Sequence, residues 1–210
     1  MKYYLILFLF PVFIFGQRIE TEKVLKVADS IILSHIGESE RIFKYFSITT
    51  GHFKYKNGKY NSSKHLLSRK KLKKSTYEIW VLYHFNYPEV EGVRGGTWVK
   101  LDKNLKLIED IDLSFIPDFV WEKEPSNFIT KQKALKIGID NFENDGIQIN
   151  EPILEFNKDY KKYTYSIGNV LTKSKNSIGK DTGEIEMIII DAISGNFLER
   201  NDIVYGVIIR

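Results

Sequence analysis

Apolar positions along this chain follow a helical rhythm and then a strand rhythm, and the pair of rhythms is run through twice. Across residues 20–36, Val24, Val27, Ala28 and Ile31 fall on one stripe, with Leu25 and Ile32 widening it. That spacing predicts an amphipathic helix. Glu20 and Glu22 suit its positive end, and Gly37 is the expected stop. Residues 131–144 predict a second helix, with Ala134, Leu135, Gly138 and Phe142 on its stripe, Thr130 as N-cap and Gly146 beyond its end. The two helices also agree locally. Val24-Leu25-Lys26-Val27-Ala28 is matched by Ala134-Leu135-Lys136-Ile137-Gly138, with Ile19 and Ile129 at corresponding upstream positions. The small residues Ala28 and Gly138 would let each helix lie close against a sheet.

After each helix the period drops to two. Tyr77, Ile79, Val81, Tyr83 and Phe85 alternate as in a strand with one buried face. The pattern predicts strands at 43–50, 77–85, 97–101 and 105–111 in the first half, and at 147–156, 162–171, 184–191 and 196–205 in the second. Trp98-Val99-Lys100-Leu101-Asp102 is echoed by Met187-Ile188-Ile189-Ile190-Asp191, and each Asp precedes a turn and another apolar strand. Lys103-Asn104 and Ser194-Gly195-Asn196 supply the turn chemistry. The expected fold class is α+β, with one helix packed on an antiparallel four-stranded meander in each of two tandem units. The first unit spans 17–117 and the second 126–210. A short, extended linker at 118–125 lies between Pro117 and Pro125, with Trp121 tucked against one of the units. The first unit carries extra residues at 54–74, a basic loop without any acidic side chain.

Composition changes this picture in three places. Each unit is long enough to bury a core of its own, though only a modest one. Lys2 followed by the apolar run 3–15 and Gly16 has the form of a signal peptide, 1–16, cleaved after Gly16. The run is shorter than the ~20 residues a membrane span needs, so we expect a secreted or periplasmic protein with no transmembrane span in the mature chain. The third place is cysteine, of which there is none. Disulfides, thiolate metal sites, a lipid-modified cysteine and cysteine nucleophiles are thereby excluded.

Candidate chemistry is sparse. His35, His52, His65 and His84 lack ligand spacing, so no metal site and no cofactor are expected. Neither a Gly-x-Ser-x-Gly elbow nor a phosphate loop occurs, and no catalytic residue is nominated. Asp102 and Asp191 read as turn carboxylates that accept backbone N–H bonds, with Gly195 completing the second turn. Lys59, Lys64, Arg69, Lys70, Lys71, Lys73 and Lys74 are the candidate partner-binding residues. Clustered within a Debye length, they would attract an anionic surface such as lipid headgroups, acidic polysaccharide or an acidic protein groove; the alternative reading is a mobile, solvated loop that its charge keeps soluble. A net charge of +4 is too small to imply nucleic acid, and export makes that partner unexpected. Glu109, Asp110, Asp112, Asp118, Glu122 and Glu124 could pair with the basic loop across the junction. The sheet edges offer a further route, by addition of a partner strand.

The run Ile189-Ile190-Asp191-Ala192-Ile193-Ser194-Gly195-Asn196-Phe197, with the Tyr-containing strands at Tyr163-Thr164-Tyr165 and Tyr77-Glu78-Ile79, resembles the PepSY family. The first half departs from it, since Leu101-Asp102-Lys103-Asn104-Leu105 keeps the Asp but lacks the Gly. The resemblance implies cystatin-like units and an exported, non-enzymatic protein that binds or modulates an extracytoplasmic partner, a peptidase being the family's suggestion. Trp80-Val81, Pro88, Gly95-Gly96 and the Asp102 strand are similar to nuclear-transport-factor-like immunity proteins, which implies toxin neutralisation as the alternative. A hydrolase with its pocket at the domain junction is the third reading.

Overall fold

In the computed structural model, which describes residues 19–63 and 71–206, the first helical rhythm becomes α1 (Thr21–Ile36). Val24, Ala28, Ile32 and Ile36 form its buried row at i, i+4 spacing, the row a helix lays on a sheet. Gly37 ends it at φ 51°, its N–H donating to the Leu33 carbonyl. A 3₁₀ segment, Gly37–Tyr45, follows and buries Ile42. The first sheet comprises β1 (Phe46–Tyr55), β2 (Tyr60–Ser63), β3 (Thr76–Asn86) and β4 (Arg94–Asp102) in the antiparallel order β2-β1-β3-β4. Two short helices come next, α2 (Asp118–Glu122) and α3 (Lys131–Asn141). The second sheet holds β5 (Gln148–Ile149), β6 (Ile153–Asn157), β7 (Lys162–Val170), β8 (Ser174–Lys175), β9 (Asp181–Asp191) and β10 (Phe197–Tyr205). Its order is β10-β9-β7-β5, with β6 also on β7 and β8 also on β9. The chain is therefore α+β with antiparallel sheets. Among the described residues no helix is long and apolar enough to cross a membrane. The expected signal peptide lies outside the described residues.

Three expectations are corrected. Residues 105–111 do not form a strand; they return along β4 through the Leu101–Leu107 bridge alone. The apolar residues there, Leu105, Leu107 and Ile111, cover the core instead of extending the ladder. The fourth strand of the first sheet is β2, drawn from the segment read as a basic loop, so that sheet is not a simple meander. The linker is not extended either. Residues 118–122 close into a helical turn because Phe119 and Val120 are buried, and Arg41 Nη2 donates to the carbonyls of Val120 (2.9 Å) and Trp121 (2.7 Å).

The helices α1 and α3 each cover one sheet. Val24, Ala28 and Ile32 meet Phe53, Ile79, Val81, Tyr83, Val99 and Leu101, and Tyr83 donates to Asp29 of α1 at 2.5 Å. Burial, and then that carboxylate, push the Tyr83 hydroxyl well above the ordinary phenol value. In the second half Thr130 caps α3 through Lys133 N–H. A Cβ on Gly138 would lie 3.2 Å from Ile167, which is why the helix can sit so low on β7. The second apolar cluster is not confined to the second half. Ile42, Phe85, Val93, Phe115 and Phe119 pack in it with Leu154, Tyr163, Tyr165, Ile167, Ile188 and Ile190. Tyr163 seals the contact by donating to the Phe115 carbonyl at 2.7 Å. Trp121 packs against both clusters. The halves thus share an interior.

Candidate functional site

Strand alternation sends Phe53, Ile79, Val81, Val99 and Leu101 towards α1 and turns His52, Trp80, Leu82 and Trp98 to the opposite side. That outer side is half-exposed. Across it, Tyr60 of β2, His52 of β1, Trp80 of β3 and Trp98 of β4 form a row. His52 stacks on Trp80 (centroids 5.9 Å apart, 8° between planes) and meets Trp98 at 5.0 Å. Trp80 is edge-on to both Tyr60 (6.1 Å) and Trp98 (6.0 Å). Such pairs add about 0.5–1.5 kcal/mol beyond burial. Glu78 accepts from Trp80 Nε1 and from Lys54 Nζ, both at 3.1 Å. Lys54 lies 5.6 Å from the Tyr60 ring and Lys100 lies 4.7 Å from the Trp80 ring. Lys100 also pairs with Glu109. The rings are therefore held in place before any partner arrives.

The row runs into a cleft at the junction of the halves. Its volume is about 330 Å³, and Trp98, Phe115 and Phe156 wall it. Gly95 makes the floor possible, since a Cβ there would lie 2.3 Å from the Phe115 ring. Arg94, Lys158 and Lys161 line the cleft, and none has an ion-pair partner among the described residues. Three carboxylates line it too. Glu109 is held by Lys100. Asp112 accepts from Ser114 N–H at 2.9 Å, and the Ser114 bonds, then the charges of Lys161 and Lys158, hold its carboxyl below the ordinary value. Asp110 has no partner among the described residues.

The residues singled out by sequence are placed differently. Lys64, Arg69 and Lys70 lie outside the described residues. Lys59 is exposed in the β1–β2 turn, Lys71 sits 3.6 Å from Glu20, and Lys73 lies 5.5 Å from the Tyr55 ring. Lys74 is exposed. Leu72, between them, is buried and its N–H donates to the Ile19 carbonyl, so the basic segment is anchored at both of its described ends. Among the described residues no acidic side chain of 109–124 pairs with it, contrary to expectation; Lys54 and Lys71 pair with Glu78 and Glu20.

Asp102 Oδ1 accepts from the N–H groups of Asn104 and Lys106, both at 2.8 Å. Asp191 Oδ1 accepts from Ile193 and Ser194, both at 2.9 Å, and Oδ2 from Lys162 Nζ at 2.8 Å. Burial alone would raise the Asp191 carboxyl, but the Lys162 and backbone bonds outweigh it and bring it down to about 2. Gly195 turns at φ 76°, and its N–H donates to the Asp191 carbonyl. A third carboxylate, unmarked in the sequence, is Glu186, fully buried. It accepts from the N–H groups of Glu143 (2.8 Å) and Asn144 (3.2 Å) just beyond α3. Burial opposes its ionised form, but these bonds prevail and its pKa is lowered.

His52, Trp80 and Trp98 are the functional candidates that spacing alone passed over. Their signal was the unbroken apolar run Ile79-Trp80-Val81-Leu82, which covers both faces of a strand where solvent should meet one. Among the described residues no group of three His, Asp or Glu side chains is placed to hold a metal ion. Comparison with family models, curated proteins and solved structures finds no match to this chain.

Proposed function

We propose that this is an exported, non-enzymatic binding protein built from two PepSY-like, cystatin-like units, and that it modulates another extracytoplasmic protein, a peptidase first among the candidates. The observation that supports this reading is the aromatic row His52–Tyr60–Trp80–Trp98 on the uncovered side of the first sheet. Trp and Tyr dominate binding hot spots because they bury large rigid surfaces at small entropic cost. Here they are pre-ordered by stacking and by Lys54, Glu78 and Lys100, so little rotamer freedom is lost on contact. The basic segment flanks the row at Lys59 and adds attraction for an acidic rim.

The test is affinity capture from the secreted fraction of the source organism, comparing the full chain with the Trp80→Ala/Trp98→Ala variant by quantitative mass spectrometry. A peptidase enriched by the natural sequence and lost with the variant supports the proposal. A toxin in its place favours the immunity reading. Capture that is indifferent to both substitutions refutes the aromatic row as the working surface.

A further inference from the structure

The outer edge of β4 changes character along its length. Ile108 N–H donates to the Lys100 carbonyl and Asp102 N–H to the Lys106 carbonyl, while the Tyr163 hydroxyl, whose proton goes to the Phe115 carbonyl, lies 3.4 Å from the Arg94 carbonyl. These bonds set the phase of the strand: the backbone groups of residues 94, 96, 98, 100 and 102 point away from β3. Residues 105–108 cover the far end of that edge. In between, Gly96 and Trp98 present N–H and C=O groups with no hydrogen-bond partner among the described residues, and both line the junction cleft. Two adjacent glycines on an edge strand are where a second backbone can approach closely.

The surroundings define what that backbone carries. Among the described residues Arg94, Lys158 and Lys161 are exposed cations without ion-pair partners, against two carboxylates that no cation pairs, Asp110 and Asp112. Glu109 is neutralised by Lys100, and Asp112 is engaged by Ser114. An anionic group is therefore favoured beside an apolar slot formed by Trp98, Phe115 and Phe156. At about 330 Å³ the cleft stands at the small end of ligand pockets. It suits a chain end and not the middle of a polymer.

We propose that the junction cleft binds the carboxy-terminal segment of another polypeptide, added as a short strand on Gly96–Trp98, with its terminal carboxylate on Arg94, Lys158 and Lys161 and its last, apolar side chain between Trp98 and Phe156. The proposal rests on the reading of the chain as a protein-binding module and names how the partner is recognised. Strand addition supplies affinity through main-chain bonds, and capture of the carboxylate supplies selectivity for a free end.

The probe is an N-acetylated hexapeptide of alternating Thr and Val ending in Phe, titrated as free acid and as carboxamide into the full chain, with calorimetry and tryptophan fluorescence as readouts. The free acid is expected to bind at least about tenfold more tightly than the amide. In the Arg94→Gln/Lys158→Gln/Lys161→Gln variant, whose changes are all at exposed positions, that preference disappears. N-methylation of alternate peptide amides abolishes binding, since it removes the strand's donors. Equal binding of acid and amide, or binding of neither, overturns the proposal. So does binding of an oligogalacturonate with the same dependence on the three cations while the peptides fail, which assigns the cleft to a sugar acid. If the peptides fail while affinity capture still depends on Trp80 and Trp98, the binding function stands and only this mode of recognition falls.

Discussion

Replacing Asp191 by Asn removes one negative charge and leaves the turn its acceptor. The amide oxygen can still receive the N–H bonds of Ile193 and Ser194, but an amide nitrogen or oxygen now faces Lys162 where a carboxylate stood 2.8 Å away. Folding lowers the Asp191 carboxyl from its ordinary 3.8 to about 2, a gap worth about 2 kcal/mol at 1.36 kcal/mol per pH unit. Asp191 is only 9% exposed, but the Lys162 side chain is 43% exposed, so solvent screens part of this and about 2 kcal/mol is a ceiling. Because the folded value is the lower one, the stabilisation is complete above about pH 4 and drains away as pH falls towards about 2. Asp191→Asn is therefore expected to be up to about 2 kcal/mol less stable than the natural protein near neutral pH, and the two should converge in acid. Urea unfolding, followed by circular dichroism and tryptophan fluorescence across that range, measures the gap directly. A gap that stays constant down to about pH 2.5 would show that the charge on Asp191 is not its source. Asp102→Asn, in the half-exposed and unpaired counterpart turn, is expected to lose less.

Two further substitutions probe the interior. Phe115→Ala removes a ring that packs 5.8 Å from Phe85 and lies over Gly95. It should cost about 3–5 kcal/mol and lower the midpoint of both halves together, as read by Trp80 and Trp98 fluorescence against amide exchange in β7 and β9; separate transitions would refute the shared interior. Glu186→Ala leaves the Glu143 and Asn144 N–H groups without their acceptor in a part-buried place, at about 1–3 kcal/mol for each bond. For a chain of this length the two bonds together, about 2–6 kcal/mol, lower the melting temperature by roughly 4–24 °C, and an unchanged melting temperature would show that the carboxylate cage contributes nothing.

The elements with a regular period were legible from sequence. Both helices, β3, β4, β7, β9 and β10 lie within a few residues of where alternation or helical spacing puts them, and the Asp191 turn forms the bonds that its Asp and Gly suggest. What the pattern hid is tertiary. The stretch 105–111 alternates like a strand, yet its apolar residues are consumed by the core, and only one bridge to β4 survives. Nothing local in Phe119-Val120-Trp121 distinguishes a linker from a helical turn until burial against the Arg41 segment decides it. The basic run drew the eye because charge is conspicuous in one dimension. The aromatic row did not, because Tyr60, His52, Trp80 and Trp98 come from four strands and become neighbours only when the register aligns them.

Because the cleft is walled by Trp98 and Phe115 from one half and Phe156 from the other, over an interior common to both, any molecule lodged there is thermodynamically linked to unfolding of the entire chain. Ligand discovery can then proceed by thermal shift: a compound at a hundred times its dissociation constant contributes about 2.7 kcal/mol, enough to move the melting point visibly. Truncated halves, lacking one wall, would be blind in such a screen.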